Sequence, residues 1–449
     1  MKADRTGVIV LAAGRGTRMK SALPKVLHPV CGAPMLSHVL SAAREIEPGR
    51  IVVVVGYGAE DVRASVEDPD VTFVDQPDLL GTADAVRRCE KALAGCDEVV
   101  VLNGDSPLIT GATIRELIAS RGEAPLSFVT CFLEEPGRMG RVVRDGEGHV
   151  SAIVEASEYS GPDEEAEINA GQYVFEAAWL WEQLPAIAPS ANGEYYLTVL
   201  PRVAHEQGRP ARTLEADPDE VQGVDDRVRL AEAEWQMRER ILAGHMLSGV
   251  TIADPATTYI DATVSIAPDV TVLPNCYLYG RTSIATGTVI GPGTTLRNST
   301  VGQGTAVQSS VIEESSLGER VRVGPFAHVR GGSTIGDDCE LGNYSEVKNS
   351  VLERGVKMHH FSYLGDADVG EGANISAGVI TCNYDGVNKH RTVIGAGAFV
   401  GCDTMLVAPV TVGEGSQTGA GTVVTKDLPA GAKAVGVPAR IIGQVKREE

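Results

Sequence analysis

The feature that most constrains the fold is an aliphatic residue that recurs every six positions through the second half of the chain. A period of six matches neither the 3.6 of a helix nor the 2 of a half-buried strand. Short fixed periods are typical of solenoids, in which each repeat stacks on its neighbours. The spacing therefore predicts a coil of three short, flat faces, with one inward aliphatic side chain on each face. The longest unbroken series is Ile260, Ile266, Val272, Leu278, Ile284, Ile290 and Leu296.

The first half of the chain alternates short apolar runs with amphipathic segments. The runs read as buried strands at 7–11, 51–55, 71–74 and 98–103, and the segments read as helices near 34–46, 59–67, 82–94 and 111–120. This alternation predicts an α/β domain with a Rossmann-like, mostly parallel sheet covered by helices. Ligands of such sheets bind beyond the carboxyl ends of the strands.

One long amphipathic segment, 226–246, connects the two patterns. Its apolar stripe includes Val228, Trp235 and Leu242 and is interrupted by Arg238, so we expect a helix that packs along only part of its length. The predicted organisation is an N-terminal domain over 1–226, a linker helix over 227–247 and a β-solenoid domain over 248–449.

Composition excludes several classes of function. The formal net charge of -21 argues against a sequence-independent nucleic-acid binder, which needs basic surface. The eight cysteines include no C-x-x-C pair, so neither a zinc ribbon nor a disulfide framework is indicated. The chain starts without a signal-peptide pattern and has no apolar stretch of the ~18 residues that a transmembrane helix needs. We therefore expect a cytoplasmic protein with neither a nucleic-acid nor a membrane partner.

A glycine-rich segment, LAAGRGTRM over 11–19, follows the first predicted strand, and Pro24-Lys25 comes soon after it. Small residues let backbone N–H groups approach phosphate oxygens closely, and Arg18 and Lys25 add fixed positive charge. The alternative is a plain strand-to-helix turn with solvated basic residues, which a lone G-x-G would favour. The added cations favour a phosphate loop.

The fourth predicted strand ends in the run VVVLNGDSP over 99–107. Gly104 ends the buried strand, so Asp105 should lie just beyond it. A carboxylate at a strand end suits Mg²⁺, which takes hard oxygen ligands and bridges phosphates. An aspartate that only caps the loop is the alternative.

These two motifs together resemble the sugar-1-phosphate nucleotidylyltransferase (pyrophosphorylase) family, and further positions resemble its N-acetylglucosamine-1-phosphate uridylyltransferase branch. The uracil-binding positions of that branch are occupied here by Gln76, Gly81 and Thr82. Its sugar-binding positions are occupied by Gly140, Glu155 and Asn169. The resemblance implies that the remaining nucleotide and sugar-phosphate contacts come from Leu11, Ala12, Ala13, Gly14, Gly16, Arg18, Lys25, Asn103, Gly104, Asp105 and Asp225.

The resemblance also implies that Asp105 and Asp225 bind Mg²⁺, although Asp225 is one of three departures from the family's pattern. The family usually has Asn there, in a GVN-x-R run that here reads GVDDR, and a carboxylate can equally bind Mg²⁺. Ser157 stands where a Lys is usual, and Asp84 replaces the His of GT-x-H.

The implied reaction is displacement at the α-phosphorus of UTP by an oxygen of the sugar phosphate, with pyrophosphate leaving. Because this nucleophile is already an anion, no general base is required. Catalysis would depend on positioning and on neutralisation of charge by Mg²⁺, Arg18 and Lys25.

In the solenoid, Arg330 and Lys348 are 18 residues apart, which is one turn of three six-residue faces. Their side chains should therefore lie one above the other on the same face. With no acidic partner expected at either position, the pair predicts a phosphate site, while two solvated basic residues are the alternative.

The period of six is expected to break at 357–364 and again at the polar insertion 382–391, CNYDGVNKHR. Insertions in solenoids often form the binding face. The repeat region resembles the left-handed parallel β-helix of hexapeptide-repeat transferases, a handedness that would be an exception to the right-handed crossover rule. The runs HHFSYLGD over 359–366 and TCNYDG over 381–386 resemble glucosamine-1-phosphate acetyltransferase, the partner activity fused to the same uridylyltransferase.

This second resemblance implies that His360 is the general base. Histidine suits the role, because the substrate amine must lose a proton as it attacks a thioester and imidazole is half-charged near neutral pH. A lone histidine in a turn is more often structural, and His359 is the candidate for that role. The implied amino-sugar phosphate site consists of Arg330, Lys348, Tyr363 and Asn374. The implied acetyl-CoA contacts are Ala377, Asn383, Tyr384, Cys402 and Ala420.

The leading hypothesis is a bifunctional enzyme that makes UDP-N-acetylglucosamine for peptidoglycan and lipopolysaccharide-type precursors of the cell envelope. Acetyl transfer from acetyl-CoA to glucosamine-1-phosphate would precede uridylyl transfer from UTP. The family assembles as a trimer with acetyl sites between subunits, so a homotrimer is expected. One alternative is a monofunctional nucleotidylyltransferase whose β-helix serves trimerisation or regulation, and another is a non-enzymatic scaffold. His360, Tyr363 and the insertion argue against the first alternative. The second would be distinguished by intact oligomerisation without consumption of acetyl-CoA in the presence of glucosamine-1-phosphate.

Overall fold

The two sequence patterns fold into two units, Met1–Met237 and Arg238–Glu449. The computed structural model describes residues 5–445 except 138, 157, 160, 162–164 and 192. Ser157, one of the departures from the family's pattern, lies outside the described residues. No helix in the described part of the chain is long and apolar enough to cross a lipid bilayer.

A nine-stranded sheet forms the centre of the N-terminal unit, with its main strands in the order β11-β7-β10-β6-β1-β4-β5. The four predicted strands correspond to β1, β4, β5 and β6, which pair in parallel, while β10 runs antiparallel to both β6 and β7. A short hairpin, β2 and β3, lies outside this sheet. The strands are β1 (Thr6–Ala12), β2 (Pro29–Val30), β3 (Ala33–Pro34), β4 (Arg50–Val55), β5 (Val71–Asp75), β6 (Glu98–Asn103), β7 (Leu126–Leu133), β8 (Arg141–Arg144), β9 (Val150–Val154), β10 (Ala166–Glu176) and β11 (Arg212–Glu215).

Helices cover both faces of this sheet, because its strands carry apolar side chains on both faces. Val8 and Val10 of β1 pack with Leu36 and Val39 on one face, whereas Ile9 belongs to a second core on the other face. The helix predicted over 82–94 is shorter than expected and ends at Arg87. The helices are α1 (Met35–Arg44), α2 (Ala59–Ser65), α3 (Thr82–Arg87), α4 (Gly111–Arg121), α5 (Ala177–Gln183), α6 (Leu200–Glu206), α7 (Pro218–Val221) and α8 (Arg227–Leu247), with short 3₁₀ turns at Thr17–Met19, Lys25–Leu27, Leu184–Ala186 and Leu197–Val199.

The long helix α8 forms where the amphipathic segment predicted it, but its predicted apolar stripe is wrong. Val228 and Trp235 are 68% and 50% exposed. Ala233 is buried in the N-terminal half of the helix and Leu242 in the core of the C-terminal unit, so different faces are covered in the two halves. Arg238 is a packing residue, because its guanidinium lies 4.4 Å from the centre of the Tyr259 ring.

The C-terminal unit is a parallel β-helix with three faces, as the period of six predicts. The first face consists of Thr251–Ile252, Thr271–Val272, Val289–Ile290, Ala306–Val307, Arg322–Val323, Glu340–Leu341, Lys357–Met358, Asn374–Ile375, Phe399–Val400, Gln417–Thr418 and Ala432–Val435, and the final strand Arg440–Gln444 pairs antiparallel to the last of these. The second face consists of Tyr259–Ile260, Tyr277–Tyr279, Thr295–Arg297, Val311–Glu313, His328–Arg330, Ser345–Lys348, Ser362–Gly365, Ile380–Cys382, Met405–Val407 and Val423–Val424. The third face consists of Ser265–Ile266, Ser283–Ile284, Thr300–Val301, Ser316–Leu317, Thr334–Ile335, Val351–Leu352, Ala367–Val369, Thr392–Ile394 and Val410–Val412, and a 3₁₀ turn at Pro255–Thr257 precedes the second face.

The coil is more continuous than the strict period indicated. Beyond Leu296, the series continues through Val301, Val307, Ile312 and Leu317 with steps of five or six residues, and all four are buried. The break predicted at 357–364 is wrong, because Met358 and Leu364 are fully buried core residues. The insertion at 382–391 does interrupt the repeat, since the next strand of the coil starts only at Thr392.

Stability of the β-helix should therefore depend on its inward aliphatic residues. Leu296 is fully buried in this core, and we expect Leu296→Ala to lower the free energy of unfolding by about 2–5 kcal/mol, since it removes buried methyl groups and leaves a cavity. Leu247→Ala is the matched control, because Leu247 is 90% exposed, and its effect should stay below about 0.5 kcal/mol. Urea unfolding of the full chain, followed by circular dichroism, measures both values. Equal effects of the two substitutions would contradict the assigned core.

Candidate functional site

A cleft of about 480 Å³ opens at the carboxyl ends of β1, β5 and β6 in the N-terminal unit. It forms there because β1 and β6 pair in parallel with Leu11 opposite Asn103, so both chains leave the sheet at the same edge. The predicted site residues that line the cleft are Leu11, Ala12, Ala13, Gly14, Lys25, Gln76, Gly81, Thr82, Asn103 and Asp105. Arg15, Glu194 and Tyr196 also line it and were not predicted. Arg15 lies within the glycine-rich motif, whereas no motif marks Glu194 or Tyr196.

Two glycines give the loop after β1 its shape. Gly16 has a φ of 57°, in the left-handed region, and a Cβ on it would lie 2.5 Å from Cβ of Lys25. Glycine at this position therefore lets Lys25 pack directly against the loop. A Cβ on Gly14 would meet no atom within 4 Å, so the space above this glycine is open to a ligand. Gly104 lies behind the loop, with its N–H donating to the carbonyl oxygen of Leu11 at 3.0 Å.

The charged residues of the front motifs form one cluster. Nζ of Lys25 contacts Oδ2 of Asp105 and lies 2.9 Å from Oδ1 of Asp225, while Nη2 of Arg18 lies 2.8 Å from Oδ2 of Asp225. The N–H of Val224 donates to the carbonyl oxygen of Asp105 at 2.8 Å, which joins the two loops. Burial alone would lower the pKa of Lys25, but the two carboxylates raise it above its ordinary value. Lys25 is therefore an ammonium that both carboxylates share.

This arrangement fits a divalent metal ion. Two carboxylates that reach the same ammonium can also reach the same metal ion, and carboxylate oxygens are hard ligands. No group of three or more His, Cys, Asp and Glu side chains with metal-binding geometry occurs in the described residues. A metal held by two protein carboxylates, with phosphates and water as its other ligands, is the usual pattern for Mg²⁺.

Gln76 is buried in the wall of the cleft and is held from behind. Its Nε2 donates to the carbonyl oxygen of Gly81 at 2.9 Å and to Oδ2 of Asp84 at 3.0 Å. Asp84 is 1% exposed and accepts hydrogen bonds at 2.8 Å from both Arg87 and Arg88. Burial alone would raise the pKa of Asp84, but these hydrogen bonds lower it below its usual value. The departure at position 84 thus places a buried carboxylate directly against Gln76.

The predicted sugar-binding residues lie beside this cleft rather than in its lining. Glu155 lines a neighbouring cleft of about 550 Å³, which shares Glu194 and Tyr196 with the first, and its Oε1 accepts a hydrogen bond from Thr198 at 2.6 Å. The N–H of Asn169 donates to the carbonyl oxygen of Gly140 at 2.9 Å. Arg18 and Asp225 line a third cleft of about 310 Å³, together with Asn103 and Asp105.

In the C-terminal unit, Arg330 and Lys348 are register partners on adjacent strands of the second face, so the predicted stacking is confirmed. The expectation that they have no acidic partner is wrong, since Nη1 of Arg330 lies 2.8 Å from Oε1 of Glu346. Glu346 lies on the neighbouring turn, and the 18-residue spacing alone did not predict its contact with Arg330. Lys389, from the insertion, was not predicted; it lies against Lys348 and, with Arg330, lowers the pKa of Lys348. Three cations therefore converge at this point.

Tyr363 lies next to this cation group. The strand register places Gly365 opposite Lys348, and a Cβ on Gly365 would overlap the hydroxyl of Tyr363 and meet Nδ2 of Asn383 at 2.8 Å. Glycine at this position therefore leaves room for the Tyr363 ring to lie across its own strand. The result is that Tyr363, Lys348 and Asn383 share one region of the surface.

The insertion contacts the coil near both of its ends and is also bonded within itself. Nδ2 of Asn383 donates to Oδ2 of Asp366 at 2.5 Å, and Arg391 pairs with Asp368 where the coil resumes. Asp385 accepts hydrogen bonds from the N–H groups of Val387 and Asn388 and lies 2.7 Å from Nε2 of His390. The backbone bonds and His390 lower the pKa of Asp385 to about 2. Tyr384 remains 60% exposed in this loop.

Three predicted acetyl-CoA contacts form a column along one corner of the coil. The N–H of Asp403 donates to the carbonyl oxygen of Ala377 at 2.8 Å, and the N–H of Gly421 donates to that of Cys402 at 2.8 Å. Ala377, Cys402 and Ala420 therefore lie on successive turns.

The remaining predicted residues of this site are less concentrated. His360 is exposed and makes no hydrogen bond or ion pair with any residue that the structure describes, whereas Nε2 of His359 lies 2.9 Å from Oε2 of Glu340. Asn374 lies on the first face, between Lys357 and Phe399, and not on the second face with Arg330, Lys348 and Tyr363.

Comparison with known proteins places the two units in known families. The MobA-like NTP transferase domain matches residues 8–200, the GMPPB C-terminal domain matches 259–344, and the bacterial transferase hexapeptide (six repeats) matches 391–426. The C-terminal unit is accordingly a left-handed parallel β-helix of hexapeptide repeats.

Similar proteins match over nearly the whole chain. The bifunctional protein GlmU of Kineococcus radiotolerans is 45% identical over 439 residues, which cover 96% of this chain and 89% of that protein. The bifunctional protein GlmU of Corynebacterium diphtheriae is 43% identical over 96% of this chain and 91% of its own, and that of Desulfitobacterium hafniense is 43% identical over 95% of each. Because these matches run through both units without interruption, the chain belongs to the GlmU family of bifunctional uridylyltransferases and acetyltransferases.

Proposed function

We propose that the chain makes UDP-N-acetylglucosamine in two steps at two separate sites. The β-helix unit transfers an acetyl group from acetyl-CoA to glucosamine-1-phosphate, and the N-terminal unit then transfers UMP from UTP to the N-acetylated product. The observation that carries this proposal is that a phosphate loop with paired carboxylates and a group of three cations on a face of the β-helix occur in one chain. Nearly complete coverage by bifunctional relatives supports both halves and disfavours the monofunctional and scaffold alternatives.

In the N-terminal unit, the loop 11–16 would hold the triphosphate through backbone N–H groups. Arg18 and Lys25 would neutralise charge at the α-phosphorus, with Lys25 turning from the carboxylates to the phosphates when substrate binds. Since the attacking phosphate oxygen is already an anion, the site needs positioning rather than a base. Gln76, Gly81 and Thr82 would contact the base, and Glu155, Asn169 and Gly140 the sugar.

A divalent metal ion belongs to the chemistry of this family, and we propose Mg²⁺ held by Asp105 and Asp225. A bound Mg²⁺ would supply positive charge that compensates the phosphates of UTP. The support is the pair of carboxylates that converge on Lys25. Asp225, with a full negative charge, would attract the metal more strongly than the Asn that is usual in the family.

Substitution of the two carboxylates separates their roles. We expect Asp105→Asn to lower uridylyl transfer by about 100-fold or more, because it removes the carboxylate closest to Lys25. Asp225→Asn, which keeps an oxygen ligand, should raise the Mg²⁺ concentration for half-maximal rate by about tenfold and leave the saturated rate within about threefold. Pyrophosphate release at varied Mg²⁺ measures both effects, and acetyl transfer by each variant is the control. Full uridylyl transfer by Asp105→Asn at every Mg²⁺ concentration would contradict the proposed metal site.

In the β-helix unit, Arg330, Lys348 and the newly identified Lys389 would bind the phosphate of glucosamine-1-phosphate. His360 would take the proton from the amine as its nitrogen attacks the thioester carbonyl, so that the new amide forms and CoA leaves as the thiol. Tyr363 and Asn374 would orient the sugar, and Ala377, Asn383, Tyr384, Cys402 and Ala420 would contact acetyl-CoA. The exposure of His360 supports this role, since its ring nitrogens are available to a substrate.

The two adjacent histidines provide a matched test. We expect His360→Ala to lower acetyl transfer by about 100-fold to 10,000-fold, the usual range for loss of a general base, without changing uridylyl transfer. His359→Ala should keep acetyl transfer within about threefold, because His359 is engaged with Glu340. Release of CoA thiol and release of pyrophosphate measure the two activities of each variant. Equal loss of both activities in His360→Ala, or equal loss of acetyl transfer in both variants, would contradict the assignment.

We also propose that the chain is a homotrimer with acetyl sites between subunits. The support is that Asn374 projects from the first face while Arg330 and Lys348 project from the second, so one coil does not place them around one sugar. Hexapeptide repeats are compatible with such assembly. The insertion 382–391 would reach the neighbouring subunit.

Sedimentation of the full chain tests this assembly. We expect a single species of three times the chain mass of 47.2 kDa. Acetyl transfer should be lost when the protein is diluted to concentrations at which the trimer dissociates. Uridylyl transfer should survive that dilution, because all of its proposed residues lie in the N-terminal unit. A monomer that transfers acetyl groups at the full rate would contradict the proposal.

A further inference from the structure

The side chain of Gln76 has only one polar atom left for a ligand. A primary amide carries two N–H hydrogens, and those of Nε2 are directed at the carbonyl oxygen of Gly81 and at Oδ2 of Asp84. Its Oε1 has no hydrogen-bond partner in the part of the chain that the structure describes. Gln76 also lines the cleft of the N-terminal unit. We propose that Asp84 fixes the amide of Gln76 with its oxygen toward the nucleotide base, and thereby selects a base that offers an N–H group.

The carboxylate at position 84 enforces this orientation because it can only accept. An ionised aspartate has no hydrogen to donate, so the NH₂ end of Gln76 must face it. Arg87 donates to Oδ1 of Asp84 and Arg88 donates to Oδ2, the oxygen that also accepts from Gln76, each at 2.8 Å. These two positive charges compensate for the burial of the carboxylate, which is 1% exposed. A histidine at this position could donate or accept according to its tautomer and would not impose one orientation.

The orientation translates into a preference between pyrimidines. Uracil carries an N–H at N3, which can donate to the free Oε1 of Gln76. Cytosine has a lone pair at N3, and two acceptors that face each other in a dry pocket are unfavourable. Sites that are built to hydrogen-bond a donor discriminate strongly against analogues that lack it. Asp84 is thus a positioning residue for base selection, an inference that rests on the proposed uridylyl transfer.

The direct test compares two substitutions of Asp84 through the ratio of kcat/KM for UTP to that for CTP. Asp84→Asn replaces a carboxylate that can only accept with an amide whose NH₂ group lies among the donors of Gln76, Arg87 and Arg88. The side chain at position 84 then no longer forces the NH₂ end of Gln76 to face it. We expect this ratio to fall by about tenfold or more, the effect of one hydrogen bond. Asp84→Glu keeps an acceptor-only carboxylate, and its ratio should stay within about threefold of the wild-type value.

Controls separate this effect from general damage. Asp70→Asn changes an exposed aspartate of the same unit and should leave the ratio unchanged. Thermal melting and acetyl transfer report whether each variant is folded. A purely structural role of Asp84 would lower activity with both nucleotides equally and would not distinguish Asn from Glu.

The wild-type protein supplies a second test that does not depend on how the variants fold. It should use UTP at least about tenfold better than either CTP or 3-methyluridine triphosphate, which lacks the N3 hydrogen. Uridylyl transfer that proceeds equally well with CTP would overturn this inference and leave the proposed function intact. An unchanged ratio in folded Asp84→Asn would also overturn it. Failure of the wild-type protein to release pyrophosphate from UTP and N-acetylglucosamine-1-phosphate would defeat the proposed function itself.

Discussion

Parallel strand pairing is the constraint on which both sites of this protein depend. In the N-terminal unit, β1 and β6 run side by side in the same direction, so the loop that follows Leu11 and the turn that follows Asn103 leave the sheet together. Lys25 and Asp105 meet only because of that shared edge. In the β-helix, parallel pairing repeats at every turn and places Arg330 and Lys348 in one column. The same backbone geometry thus gathers residues at a strand end in one unit and along a face in the other.

Charge balance is the second common theme, since each site brings side chains of like charge close together. In the absence of substrate, Asp105 and Asp225 are compensated by Lys25 and Arg18. Position 225 carries an aspartate where the family usually has an asparagine, and Asp225 pairs with both cations. In the β-helix, Lys348 and Lys389 lie together, and Arg330 is partly neutralised by Glu346. A phosphate group would relieve the repulsion among these cations, which accounts for an otherwise unfavourable cluster.

Much of the fold followed from periodicity, and the reason is physical. A six-residue period suits a coil of three short faces, and the alternation of apolar runs with amphipathic segments located the strands around Val10, Val54 and Val101. Strict spacing failed where the coil accepts five-residue steps, as at Val301 and Ile312. At Met358 the spacing of six holds, but a methionine takes the inward position in place of a branched aliphatic residue. The stripe on α8 failed because the two halves of the helix bury different faces, which no single-face pattern can express. Contacts between neighbouring turns, such as Arg330 with Glu346, and the engagement of Gln76 by Asp84 depend on side-chain geometry that spacing alone does not contain.

If one chain performs two consecutive reactions with a shared intermediate, a coupled reaction with omissions reveals both. The purified chain is supplied with glucosamine-1-phosphate, acetyl-CoA, UTP and Mg²⁺, and each is then omitted in turn while UDP-sugar products are identified by mass. We expect UDP-N-acetylglucosamine only in the complete mixture, and its recovery without acetyl-CoA once N-acetylglucosamine-1-phosphate is added. A UDP-sugar formed from glucosamine-1-phosphate at the same rate without acetyl-CoA, or no release of CoA in the complete mixture, would contradict this expectation.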